Sequence, residues 1–161
     1  MQIYVSRIVV VSSLAYRRAK NGINFADINC EGKPFDTVDT YGQSKLANLL
    51  FAKELAIRIE DTGIKVYALH PGVIMTELSR HIEERMPKLL TFFAMPLARF
   101  FFKTPFHGAQ TTLYCTLDDS IANESGIYYS DCAHGVINTE HGKDMKMAKK
   151  LWEVSEKMVG L

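Results

Sequence analysis

The sequence predicts an α/β layered domain, and three stretches carry that expectation. "RIVVVSS" (Arg7–Ser13) is a continuous β-branched run, "IKVYALH" (Ile64–His70) is another, and a long apolar-patterned segment lies between them. Continuous apolar runs of this length mark strands buried on both faces of a parallel sheet. Strand, helix, strand at these lengths is a βαβ unit, expected to be parallel with a right-handed crossover.

Taken in order, the first strand is followed by loop-like sequence through Asn21–Gly22 and on to Gly32–Pro34. A connection this long is more often functional than filler. Asp36, Thr37, Asp39 or Thr40 then offers a cap for a helix running to about Glu60, with Leu46, Leu49, Leu50, Lys53 and Ile57 along its apolar stripe and Gly63 as its stop. Pro71–Gly72 breaks the second strand. Short helices interrupted at Pro87, Pro96 and Pro105 are expected next, then a clearer helix over Pro105–Leu117, with proline in its first turn. "GIYYS" (Gly126–Ser130) reads as a third strand. "MKMAKKLWEVSEKMV" reads as an amphipathic helix with Met145, Ala148, Trp152, Ser155 and Val159 along one side. No internal repeat, low-complexity tract or domain boundary interrupts residues 1–161.

Bulk properties exclude several classes. With 161 residues, 47% apolar and 23% charged, the chain has the length and composition of a single folded domain. Net charge is +1, and the densest basic cluster, Met145–Lys150, sits in a helical pattern with Asp144 and Glu153 beside it, so a solvated helix face outweighs a nucleic-acid patch. Three cysteines, Cys30, Cys115 and Cys132, at unrelated spacings suggest neither a disulfide framework nor a zinc site, and an intracellular, reducing compartment is expected. The opening "MQIYVSRIVVVSS" lacks the basic leader and cleavage site of a signal peptide. The most apolar stretch, Leu89–Phe102, falls short of the roughly 20 residues of a membrane span and is interrupted by Pro96 and Arg99. An interfacial segment, a cover over an apolar substrate, and plain core remain open for it.

Two tyrosine–lysine pairs share a spacing of one helical turn: Tyr16 with Lys20, and Tyr41 with Lys45. The first runs into an Asn-Gly turn, which disfavours a stable helix. The second opens a helix of about six turns, a rigid platform for both side chains. Proton transfer near neutral pH requires the phenolate to be favoured by roughly 4 kcal/mol over an ordinary tyrosine, and an ammonium one turn away supplies part of that in a partly dry site. The competing reading is a helix-start aromatic beside a solvated lysine.

Other polar residues stand at strand ends, where open α/β sheets bind ligands. Ser12 and Ser13 end the first strand; a serine there holds a reacting oxygen or simply caps a turn. After the second strand, Pro71 stiffens the exit, Gly72 admits a ligand close to the backbone, and Thr76 offers a hydroxyl or a helix cap.

"VVVSS", then "YGQSKLAN", then "ALHPGVIMTEL" in that order resembles the short-chain dehydrogenase/reductase family from its middle strand to its C-terminus. "NLLFAKELA", "KTPFHGAQTTLYC", "SGIYYSDC" and the final "AKKLWEVSEKMVGL" look closest to its retinol dehydrogenase-like branch. The resemblance covers essentially the whole chain. It implies the C-terminal part of a Rossmann-like, doubly wound parallel sheet without the N-terminal glycine-rich βαβ half. It implies an NAD(P)(H)-dependent oxidoreductase interconverting an apolar alcohol and a carbonyl, retinol/retinal-like or otherwise lipid-like. In that scheme Tyr41 is the acid/base, Lys45 supports its phenolate and binds the nicotinamide ribose, and Ser13 orients the reacting oxygen. Pro71, Gly72 and Val73 line the nicotinamide site, and Thr76 contacts its carboxamide. Leu89–Phe102 corresponds to the substrate cover, with membrane docking as a second use. Association with endoplasmic-reticulum or mitochondrial membranes follows from the same branch.

The family's glycine-rich phosphate loop is not in these 161 residues: no two of the ten glycines stand two or four positions apart. Its "NNAG"-type segment and the asparagine of its proton relay are missing as well. The expectation is therefore a fragment, isoform or incomplete gene product with weak or no activity by itself, binding either NADP(H) or NAD(H). The alternative is a non-catalytic interaction or regulatory protein that uses an exposed sheet edge, which also invites self-association. No metal site and no nucleic-acid partner are expected.

Overall fold

The computed structural model describes residues 6–32, 36–74 and 102–161. In chain order it contains β1 (Arg7–Val11), a 3-10 turn (Leu14–Arg18), α1 (Thr37–Arg58), β2 (Lys65–His70), α2 (Pro105–Leu117), β3 (Ile127–Ser130), β4 (Ala133–His134), a short α3 (Glu140–Lys143) and α4 (Met145–Val159). The sheet runs β1-β2-β3-β4; β1 and β3 flank β2 in parallel, and β4 turns back antiparallel on β3. The βαβ reading of the first half holds, as does the helix over Pro105–Leu117.

Strand periodicity sorts the core into two layers. Val66, Ala68 and Tyr128 point to one face, against Leu46, Leu49 and Leu50 of α1 and Ala148 and Leu151 of α4. Tyr67, Leu69 and Tyr129 point to the other, against Cys115 of α2 and Ile121. Alternate residues of β2 and β3 thus bury into opposite layers, which is why both strands read as unbroken apolar runs. Each fully buried leucine contributes about 1.5–3 kcal/mol relative to an exposed one. This is the α/β arrangement expected, with helices on both faces of the sheet.

The ends of α1 follow local chemistry. The Asp36 side chain accepts from the Val38 and Asp39 amides and caps the first turn. After Arg58 the chain tightens into a 3-10 turn, Glu60–Thr62, before Gly63 at φ 76° ends the element. Three residues of the expected stripes, Ile57, Ser155 and Val159, face water instead. Ile57 is 59% exposed because α1 also packs on α4, which turns its buried arc toward Ala52 and Ala56. Val159 is exposed because the core contacts of α4 lie in its first half, at Ala148 and Leu151.

Trp152 of α4 stacks on Phe51 of α1 with ring centroids 5.6 Å apart, and the Arg58 guanidinium lies 4.6 Å from the Trp152 ring centroid. Two short elements were not anticipated: β4 and α3. Asp131 and Cys132 adopt φ 54° and 56°, a two-residue primed turn that reverses β3 into β4.

Candidate active site at the carboxyl ends of the strands

The carboxyl end of β1 is clasped to α1. The Ser12 amide donates to the Leu69 carbonyl at 2.7 Å, continuing the ladder. Its hydroxyl, in a residue only 2% exposed, donates to the Lys45 carbonyl at 2.7 Å. One helical turn on, Asn48 Nδ2 donates to the Val11 carbonyl at 3.0 Å. Ser12 is therefore a structural clasp. Ser13 turns the other way: it is half-buried, and its Oγ accepts from the Ala15 amide at 3.2 Å to cap the 3-10 turn. Among the described residues no hydrogen bond links Ser13 to Tyr41.

Gly42 lets α1 approach that turn. A Cβ at this position would stand 2.9 Å from the Ala15 carbonyl oxygen and 3.1 Å from the Ala19 amide nitrogen, so bare backbone is required where helix and turn touch. The long connection after β1 is pinned to the same stretch by the Asn24 amide, which donates to Gln43 Oε1 at 2.7 Å.

These contacts present Tyr41 and Lys45 at the end of the sheet where β1 and β2 finish. Tyr41 is 49% exposed, and the Lys45 ammonium lies 5.5 Å from its ring centroid. Lys45 Nζ has no carboxylate or hydrogen-bond acceptor among the described residues, leaving its donors free. The competing pair is taken apart by the fold: Tyr16 is buried in the core, with its hydroxyl 3.3 Å from Asn138 Oδ1, while Lys20 is exposed.

At the exit of β2, His70 is buried and its Nδ1 accepts from the Gly72 amide at 3.3 Å. Burial makes this histidine harder to protonate than usual. Gly72 sits at φ +96°, and a Cβ there would meet Lys103 Cδ at 2.6 Å. Pro71 is half-buried and Val73 is 53% exposed; the Val73 carbonyl accepts from the Lys103 amide at 2.8 Å. The Lys103 ammonium in turn pairs with Asp131 of the β3–β4 turn. Thr76 and all of Leu89–Phe102 except Phe102 lie outside the described residues.

Of the sequence-selected residues, Ser13, Tyr41 and Lys45 therefore gather around the end of β1, and Pro71, Gly72 and Val73 leave the end of the adjacent β2. Sequence reasoning missed Gly42 and Asn48. Asn48 stands three positions after Lys45 and seven after Tyr41, on the same helix face, and that spacing was the available signal.

The donor set suits one end of a nicotinamide cofactor. The Lys45 ammonium, without an acceptor among the described residues, matches ribose hydroxyls, whereas the space a side chain at Gly72 would take is filled by Lys103. For a pyrophosphate the 161 residues hold no glycine-rich turn.

No protein-family model matches the chain. It is 42% identical over 160 residues to retinol dehydrogenase 14 of Mus musculus, covering 97% of the chain and 45% of that protein. It is 40% identical over 156 residues to retinol dehydrogenase 12 of Homo sapiens, covering 97% of the chain and 46% of the relative. Against dehydrogenase/reductase SDR family member 13 of Bos taurus it is 41% identical over 157 residues, 97% of the chain and 40% of the relative. A solved structure of an uncharacterised protein from Mycobacterium paratuberculosis superposes with a TM-score of 0.61 at 28% identity, covering 95% of this chain and 50% of that one. The chain is similar to the C-terminal portion of the retinol dehydrogenases and of a dehydrogenase/reductase of the SDR family. It spans less than half the length of the curated relatives it matches.

Proposed function

We propose that this chain carries the acid/base half of an NAD(P)(H)-dependent oxidoreductase that interconverts an apolar alcohol, retinol-like or otherwise lipid-like, with its carbonyl. The observation that carries the reading is Lys45 Nζ at 5.5 Å from the Tyr41 ring centroid, both on a helix clasped to the carboxyl end of β1. A nicotinamide cofactor, when bound, accepts or supplies the hydride.

The chain's own residues do the rest. Tyr41 Oη takes the proton of the alcohol during oxidation and returns it to the carbonyl oxygen during reduction. Lys45 stabilises the phenolate through its charge and donates to the ribose hydroxyls. Ser13 donates its hydroxyl to the reacting oxygen, while its acceptor lone pair keeps the Ala15 amide. Pro71, Gly72 and Val73 border the nicotinamide, and Thr76 reaches its carboxamide. Phe102, at the end of the apolar Leu89–Phe102 stretch, belongs to the same reading as part of a substrate cover. So does contact with an endoplasmic-reticulum or mitochondrial membrane.

The test is retinal reduction with NADPH and with NADH. The 161-residue chain should bind either nucleotide weakly. Fused to the N-terminal half of mouse retinol dehydrogenase 14, it should turn over retinal, and Tyr41→Phe should lower that rate at least about a hundredfold. Turnover that survives Tyr41→Phe would overturn the reading.

A second reading, a non-catalytic interaction protein, is favoured by one observation: β1 ends the sheet, with no strand on its outer side among the described residues. Concentration-dependent association of the isolated chain, measured by sedimentation and abolished by Val9→Pro, would support it.

A further inference from the structure

A cavity opens at the end of the sheet opposite the candidate active site, where β2 and β3 begin. Its volume is about 470 Å³, and it is walled by the last turns of α1, the start of β2, the loop before β3 and the first residue of α4. Along α1, Lys53 stands about 18 Å from Tyr41 at 1.5 Å per residue, so this cavity is separate from the candidate active site.

Its lining divides into two kinds. Ala56, Ile57, Ile64 and Met145 supply apolar surface. Lys53 and Lys65 supply positive charge, and Glu60 one negative charge, leaving the lining one unit positive. Lys53 is half-buried, and desolvation makes its ammonium harder to keep charged than an ordinary lysine. Its hydrogen bond is to the Gly142 carbonyl, at a long 3.3 Å, and no carboxylate pairs with it among the described residues. Lys65 has no ion-pair partner among them either. Ser125 Oγ accepts from the Val66 amide at 3.1 Å, which leaves its O–H free to donate into the cavity.

A partly dehydrated ammonium beside an apolar wall, with a second lysine and a free hydroxyl nearby, is an incomplete arrangement: an anion would replace the lost hydration. We infer that this cavity binds a monoanionic carboxylate carrying an apolar tail. The carboxylate bridges Lys53 and Lys65 and accepts from Ser125, and the tail lies on Ile57, Ile64 and Met145. A single excess positive charge selects a monoanion over a phosphate dianion, which Glu60 repels more strongly. The exposed Ile57, out of place on a solvent-facing turn of α1, acquires a partner.

The experiment titrates the 161-residue chain calorimetrically with decanoate below its micellar concentration, alongside decanol and inorganic phosphate, and follows Tm in parallel. One decanoate should bind per chain and raise Tm. Decanol and phosphate should each bind at least about tenfold more weakly. Lys53→Met keeps the aliphatic stem and removes both the dehydrated charge and the long bond to the Gly142 carbonyl, so the free variant should still melt cooperatively, while its affinity for decanoate falls at least about tenfold. Lys65→Met should weaken decanoate similarly and serves as the second variant. The inference is overturned if the parent chain does not bind decanoate, if decanol matches it, if phosphate binds more tightly, or if both methionine variants retain parental affinity.

Discussion

The Ser12 hydroxyl donates to the Lys45 carbonyl at 2.7 Å, joining the end of β1 to the middle of the third turn of α1 across 33 positions of sequence. The bond holds the backbone of the lysine in the candidate catalytic pair, while the side chain of that lysine remains free. Ser12→Ala deletes the donor and leaves the Lys45 carbonyl its helical partner. The expected loss is about 1 kcal/mol, read from the urea midpoint at unchanged slope.

Gly42→Ala sets helix propensity against space. Alanine favours a helix by about 1 kcal/mol over glycine. Here, though, the new methyl meets the Ala15 carbonyl oxygen at 2.9 Å and Arg18 Cβ at 3.0 Å. Backbone does not yield cheaply, and overpacking of this kind costs about 1–3 kcal/mol. The variant should be less stable by denaturant titration. In the active fusion with the retinol dehydrogenase half it should also lose kcat, because α1 shifts relative to the Ser13 turn.

His70 makes stability depend on pH. Burial is the leading cause of its weakened proton affinity; Lys103 and Arg17 act in the same direction and Asp131 opposes them. The unfolded chain therefore binds a proton here more readily than the folded one. The contribution is complete above the ordinary histidine value of 6.5 and is lost as pH falls below it, until folded His70 itself takes the proton and breaks the bond from the Gly72 amide. His70→Asn keeps an acceptor for that amide and removes the titration. Denaturant midpoints of the variant should change less than those of the parent between about pH 7 and about pH 5.

The cysteines should separate by reactivity. Cys115 is buried against Tyr67 and Tyr129, and desolvation pushes its thiol up to about 12, whereas Cys132 lies exposed on the β3–β4 turn. A disulfide reagent at mildly alkaline pH should modify Cys132 promptly and Cys115 only at the rate of unfolding, as mass spectrometry of timed samples would show. Prompt modification of Cys115 would contradict the packing of α2 on the sheet.

Much of this was legible because burial leaves a period in sequence. β2 and β3 are buried on both sides and read as strands; β1 reads as one too, but at the rim of the described sheet its Ile8 and Val11 are exposed rather than buried on both faces. The helices α1, α2 and α4 carry capping residues and helical spacing. Asp131 and Cys132 hid the hairpin, since a cysteine occupies the place where a primed turn usually shows glycine. Ile57 and Val159 were assigned to buried stripes by spacing alone, but which arc of a helix is covered depends on the neighbours it meets, and α4 covers α1 along Ala52 and Ala56. The site divides the same way. Tyr41 and Lys45 stood out because a helix joins them locally. The clasp from Ser12, the bond from Asn48 to Val11 and the close approach at Gly42 join residues distant in sequence, and no local pattern announces them. Helix context had already set Tyr16 aside as a partner for Lys20; its burial completes that separation.

Among the described residues β1 stands at the end of the sheet, which gives the strand two kinetic faces. The Ser12 amide donates inward to Leu69, so by the period of two along a parallel ladder the Val10 and Ile8 amides also point toward β2, and those of Val9 and Val11 point away. In deuterium oxide the inward protons should exchange only when the sheet opens, and the outward ones within the time of mixing. Neighbouring valines of one unbroken "VVV" run would then report on two different events, the opening of the domain and the arrival of another strand at its rim.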